Sequence, residues 1–315
     1  MNIAQRATTV TGSTAGGYTT VDRMLLSIGT LGTWTIAQTA SAPDGTGLTN
    51  SYRLDCTTAD ASPAAGDIAI FSTRLEGQDV QLLEKGTSAA KKVTIAFYVK
   101  SNKTGTYIME LDDNDNGRNI NQAYTISSAN TWEKKVLSFA GDTTGAFGND
   151  NGSSLQILWW LGAGSNFTSG SLQTAWAATD NTKRAVGQVN LGDNTANDWS
   201  ITGVQLEVGD FDANSIAPFQ HESFGDNLAR CQRYYHAVSG DISNGAQSNV
   251  NDNYRRHVHQ FPVAMRTAAT QTNSWSGGSG GGSQFSSTTS IQFFINAGNT
   301  TTELKLTAFT LTAEL

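Results

Sequence analysis

The stretch NDWSITGVQLEVGDFDANSIAPFQHESFGDNLARCQRYYH, Asn197 to His236, decides the fold. In its first third, Trp199, Ile201, Gly203, Gln205, Glu207 and Gly209 share one parity, while Ser200, Thr202, Val204, Leu206 and Val208 share the other. That is the period of a strand, ended by Gly209 and Asp210. The period then changes. Phe224, Leu228, Cys231 and Tyr235 recur at helical steps, behind a capping Ser223 with Asp226 three residues on. The spacing predicts an amphipathic helix that ends near His236, and no other segment is as strongly helical. Its stripe has to be buried, either on a neighbouring domain or on other copies of the chain.

Upstream, short β-like runs alternate with turn chemistry. They include Ser51 to Cys56, Ile68 to Leu75, Val93 to Ser101, Thr106 to Leu111, Asn121 to Ser127, Trp132 to Phe139, Leu155 to Leu161 and Ala185 to Leu191. Pro43-Asp44-Gly45, Gly66-Asp67, Asn116-Gly117, Gly141-Asp142 and Asn151-Gly152 punctuate them. About nine strands at this spacing, with no βαβ alternation, predict two packed antiparallel sheets. The expected fold class is all-β: a jelly-roll sandwich over 18–210, a linker and helix over 211–236, and a small C-terminal β-domain over 237–315. Residues 1–17 read as an extended arm. In the C-terminal part the β-like runs are His257 to Val263, Thr267 to Asn273, Ser290 to Ile295 and Glu303 to Thr312, and Trp275 to Ser283 reads as a glycine-rich surface loop. This part is small for an isolated fold, so it is expected to pack on copies of itself.

Composition agrees. The 315 residues are 15% charged, with 32 glycines and 4 prolines, a balance that suits short strands and many turns. A net charge of -7 offers no basic field for nucleic acid, which is excluded as an expected partner. Cys56 and Cys231 stand in no metal-ligand spacing and are expected to be unpaired, as in a reducing cytoplasm. The first residues, MNIAQRATTV, lack an apolar signal core, and no run approaches membrane-spanning length, so no membrane insertion is expected.

Candidate chemistry is sparse. Asp112-Asp113-Asn114-Asp115-Asn116-Gly117 matches the first half of a calcium-binding loop, but Ala123 stands where the bidentate Glu belongs. The segment reads as a hairpin turn, and no metal or cofactor is expected. Trp159, Trp160 and Trp176 are the candidates for stacking on a sugar ring. As strand neighbours, Trp159 and Trp160 point to opposite faces, so one belongs to the core and the other faces outward. Trp199 and Trp132, inside alternating strands, read as core. His257, His259 and His236 lack nearby carboxylate or thiolate partners and read as strand surface or a subunit contact. No nucleophile elbow, zinc-protease or phosphate-loop motif occurs, so no catalytic residue is assigned and a non-enzyme is expected.

A resemblance sharpens this reading. The run W-x-I-T-G-V-Q-L-E-V-G, Ala217-Pro218-Phe219 and L-A-R-C-Q-R-Y-Y resemble structural proteins of tailed bacteriophages, many of them marine. So do GGYTTVDRMLL, DCTTADASPAAGD, RLEGQD, VKSNKTGTY, SSANTWEKK, FAGDTTGAF and RAVGQVNL upstream, and FPVAMR and the terminal AEL downstream. The resemblance covers most of the chain. It implies a tail fibre or minor structural protein with a carbohydrate-binding-like sandwich, made in the host bacterial cytoplasm and placed in the virion. The implied partners are other virion proteins, a host surface glycan and sister copies in a homo-oligomer, in first place a trimer. Phe224, Leu228, Cys231 and Tyr235 are the expected interface. A capsid decoration protein is the alternative, and a glycoside-cleaving spike the third. The arm before Tyr18 leaves no room for a fibre's usual N-terminal docking domain.

Overall fold

The computed structural model describes the backbone of residues 1–239, 254–276, 282–296 and 305–315. The chain divides into two units, Met1–His221 with Leu315, and Glu222–Glu314. In the first lie β1 (Thr9–Ser13), β2 (Gly16–Gly17), β3 (Leu25–Gly29), β4 (Thr33–Thr39), β5 (Ser51–Thr58), β6 (Ile68–Glu76) and β7 (Val93–Ser101). They are followed by β8 (Gly105–Asp113), β9 (Arg118–Ile126), β10 (Glu133–Phe139), β11 (Ser153–Ala163), α1 (Ser165–Thr168), β12 (Ala177–Ala178) and β13 (Asp198–Val208). Two antiparallel sheets result, one of six strands in the order β1-β4-β5-β13-β7-β10 and one of seven in the order β12-β9-β8-β11-β6-β3-β2. This is the expected all-β sandwich.

Alternation builds the layer between the sheets. Tyr52, Leu54, Phe97, Val99 and Trp199 come from the six-stranded sheet, and Phe71, Met109, Ile157 and Trp159 from the other, all buried in one cluster. Phe71 joins the layers: its ring centroid is 4.7 Å from Tyr52, 5.4 Å from Trp159 and 5.4 Å from Trp199. Aromatic pairs at these separations add to what burial alone contributes.

The decisive strand, β13, does not keep one parity. Trp199 and Ile201 are buried in the core, yet Leu206 and Val208, of opposite parity, also pack against it. The register against β7 shifts between Thr202 and Gln205. Gly203 sits there at φ +60, and a Cβ on it would meet Leu48 Cδ1 at 2.8 Å and Tyr98 at 3.1 Å. A bulge at this glycine turns the strand over, so both halves offer their apolar residues to one core.

Two expectations are corrected. The N-terminal arm is part of the sandwich: β1 pairs with β4 and Ile3 is buried. Ala185 to Leu191 is not a strand but a succession of turns. Residues 211–221 contain no strand or helix and group with the first unit.

The second unit opens with α2 (Phe224–Gln232), whose Ser223 hydroxyl accepts from the Asp226 amide at 3.1 Å. Its strands are β14 (Tyr235–Ser239), β15 (Tyr254–Gln260), β16 (Thr270–Ser276), β17 (Gly282–Ser286), β18 (Ser290–Asn296) and β19 (Lys305–Thr312). They form two three-stranded sheets, β14-β19-β16 and β15-β18-β17. Ile291, Phe293, Leu306, Phe309 and Leu311 make a shared core. Tyr235 belongs to β14, not to the helix, because α2 stops at Gln232 and the chain re-enters a ladder opposite Thr312. The expected four-residue stripe is therefore split: Phe224 is 66% exposed, Leu228 is half-buried, and Cys231 and Tyr235 are buried. Part of the glycine-rich loop, 277–281, and the side chain of His257 lie outside the described residues.

Candidate functional site

Both members of the tryptophan pair are covered. Trp159 lies in the sandwich core and Trp160 on the opposite face of β11, but each is 0% exposed. The expected outward ring is roofed by the segment between β11 and β12 and the turns after it. Ile70, Ile108, Leu158 and Ala185 are buried with Trp160, and the Phe167 ring stands 5.3 Å away. Charge fastens this roof. Arg184 donates from Nε to Glu110 Oε1 at 2.9 Å, and Trp160 Nε1 donates to Glu110 Oε2 at 2.7 Å. Asn119 adds a third donor to Glu110 at 3.1 Å, and the Arg184 guanidinium lies 5.3 Å over the Trp160 ring. Burial pushes the Glu110 carboxyl above its ordinary range against the opposing pull of Arg184. Trp160 is a structural residue here, held by a buried ion pair.

Trp176 differs. It is half-buried, its indole nitrogen donates to the Ala140 carbonyl at 2.7 Å, and its ring lies 5.4 Å from Lys85 Nζ. Phe147 presents a second ring 5.2 Å from the same ammonium. Lys85 is buried and tied down by Asp113 at 2.5 Å, Asp142 at 3.1 Å, and the Thr144 and Gly145 carbonyls at 2.8 and 2.7 Å. Arg118 holds Asp142 from its other side at 2.7 Å. Burial raises the Asp142 carboxyl, but hydrogen bonds from Arg118, the Thr144 amide and Lys85 outweigh it and hold the group below its usual range.

Two recesses adjoin this cluster and share Lys85 and Phe147. One, lined by Leu83, Val93, Leu111, Asp142 and Trp176 among others, has room of about 20 Å³, enough for a water and not for a sugar ring. The other, between the turns after β6 and the 146–147 segment, has room of about 380 Å³. It is lined by Val80, Gln81, Glu84, Lys85, Thr87, Ala146 and Phe147. That volume lies within the range of small-molecule sites, and the lining combines the edge of a largely buried aromatic ring, Phe147, with an amide, a carboxylate and a hydroxyl.

The Asp112 to Gly117 segment is the expected hairpin turn, joining β8 to β9. Asp113 accepts from the Asp115 and Asn116 amides at 3.0 and 3.1 Å, and its other oxygen serves Lys85. Among the described residues no group of three His, Cys, Asp or Glu is placed to hold a metal. Trp132, expected in the core, is half-buried under the Lys100 ammonium, which lies 5.0 Å from its ring.

Of the three candidate tryptophans, Trp176 alone adjoins this cluster, at the smaller recess, and the sequence did not single out Lys85, Phe147, Glu84 or Arg118. The local sequence, Leu82-Leu83-Glu84-Lys85-Gly86, reads as an ordinary charged turn and gives Lys85 no distinguishing signal. Its carboxylate partners lie too far along the chain for any local pattern to show them.

The folded chain is thus an all-β protein, a two-sheet sandwich followed by a second β unit. No protein-family model matches the sequence, and no curated protein does. Among solved structures, it is similar to the enzymatically active domain of tailspike protein 4 of bacteriophage CBA120, at 16% identity and TM-score 0.33, over 59% of this chain and 19% of that one. It is also similar to a family 11 carbohydrate-binding module from Clostridium thermocellum, in complex with a mixed-linked tetrasaccharide, at 11% identity and TM-score 0.31, over 62% of this chain and 98% of that one. A xylan-binding domain from Paenibacillus barcinonensis matches at 13% identity and TM-score 0.28, over 67% of this chain and all of its own. The chain spans about a fifth of the tailspike domain. The sandwich assignment rests on the sheet order, not on these likenesses.

Proposed function

We propose that this chain is a structural protein of a tailed-bacteriophage virion, of tail-fibre or appendage type, and that its sandwich attaches the particle to the host surface by holding a glycan. The observation that carries the glycan reading is the recess of about 380 Å³ lined by Phe147, Gln81, Glu84 and Thr87 among others. A pyranose offers an apolar face to the aromatic ring and hydroxyls to the amide, carboxylate and hydroxyl. Trp176 lines the smaller recess, which shares Lys85 and Phe147 with this one. The virion reading is supported by the motif resemblance along the chain.

The protein binds without cleaving. Glycoside hydrolysis calls for two carboxylates facing one bond. Glu84 lines the larger recess, while Asp113 and Asp142 are engaged by Lys85 and Arg118. No cofactor is used. The copies assemble as a homo-oligomer, in first place a trimer, and the 66% exposure of Phe224 beside the half-buried Leu228 supports burial of that part of α2 against a sister copy.

An array of host surface polysaccharides tests the glycan reading: the full chain binds at least one, and binding to none overturns it. Labelled antibody on intact virions tests the location. Label at the tail or its fibres is expected, label over the capsid favours decoration, and its absence from the particle overturns the virion reading.

A further inference from the structure

The second unit contains a histidine pair that glycan binding does not use. His236 on β14 is 7% exposed, and its ring lies 5.7 Å from that of His259 on β15 with 22° between the planes. The rings of Phe261 and Phe309 stand 6.2 and 6.4 Å from His236. Neither ring nitrogen of His236 has a hydrogen-bond partner. Because β14 and β15 belong to different sheets, the pair bridges the two layers of the unit.

We propose that the His236–His259 pair makes the second unit acid-sensitive: its two sheets stay packed while His236 is neutral and part when it takes up a proton. A neutral imidazole tolerates an aromatic site, whereas an imidazolium there has two donors without acceptors and a second imidazole beside it. Among the described residues no carboxylate accepts from it. On the elements next to β14, Arg233 and Arg266 are cations, Arg230 is paired with Glu222 at 2.9 Å, and Asp226 receives the Ser223 hydroxyl at 2.6 Å. Glu314 follows β19, and neither it nor Asp226 accepts from His236.

Burial, then the charge of His259, lowers the His236 imidazole from 6.5 to about 4. A base held below its unfolded value favours the packed state at neutral pH. As the pH falls below 6.5, the parted state takes up the proton that the packed state refuses, and packing weakens until about pH 4. The corresponding shift in the packed-to-parted ratio is about thirty-fold at pH 5 and reaches about 300-fold at its limit.

Hydrogen exchange on the full chain at pH 7.5 and pH 5, with labelling times scaled for intrinsic exchange, reads this directly. Peptides covering β14 and β19 are expected to open about thirty-fold more at pH 5, while β7 and β11 keep their protection. His236→Phe is expected to abolish the difference. Because that variant risks misfolding, an NMR titration of the wild-type His236 ring accompanies it, with an expected midpoint below 5. Equal protection of β14 at both pH values, or a ring midpoint near 6.5, overturns the proposal.

Discussion

The surroundings of Trp160 and Trp176 use the same materials to opposite ends. Each indole lies beside a long cation held by buried carboxylates. Around Trp160 the cation is Arg184, and the apolar roof above closes the face completely. Around Trp176 the cation is Lys85, held by Asp113 and Asp142, and the ring stays half-buried beside a small recess that shares Lys85 and Phe147 with the larger one. An exposed strand face is therefore not a binding face by default. What a long connection does after the strand decides whether an aromatic ring becomes core or wall.

The contrast breaks most readily at the roof. Arg184→Ala strands the buried Glu110 carboxylate and is expected to cost about 3–5 kcal/mol in denaturant unfolding. A loss below 1 kcal/mol would show that the roof is held by its apolar contacts alone. Next in size, Gly203→Ala puts a side chain at positive φ against Leu48 and Tyr98, and is expected to cost about 1–2 kcal/mol with β13 still paired. The Lys85 cluster makes its own prediction in acid. Because Asp142 is held below its ordinary value of 3.8, its contribution to stability is present above that pH and is lost as the pH falls through the lower folded value. Asp142→Asn flattens this limb of the stability curve, and an unchanged limb would place the acid response elsewhere. Smallest is Trp132→Ala, which removes an exposed cation–π contact with Lys100 and is expected to cost about 0.5–1 kcal/mol and leave glycan affinity unchanged.

The sandwich was largely legible because two-residue alternation survives in β5, β7, β11 and the first half of β13. What the alternation hid was the bulge: with a strict period, Trp199 and Leu206 fall on opposite faces, and only the unstrained positive φ of Gly203 brings both inward. The helix start was readable from Ser223 and Asp226, whereas its end was not, because Tyr235 keeps the helical spacing while pairing with Thr312. Of the residues around the candidate site, only Trp176 was singled out, as an aromatic ring able to stack on a sugar. Lys85 and Arg184 could not, since each meets its carboxylates across the fold. Trp160 misled for the same reason: strand parity fixes which way a ring points and says nothing of what covers it.

The most direct test compares the affinity of Gln81→Ala and Glu84→Ala with that of Trp132→Ala for a polysaccharide the full chain binds, using calorimetry. The expected result is a loss of at least about tenfold in each of the first two and none in the third. Undiminished binding by Gln81→Ala and Glu84→Ala, in folded protein, would contradict the assignment of the Phe147 recess as the glycan site.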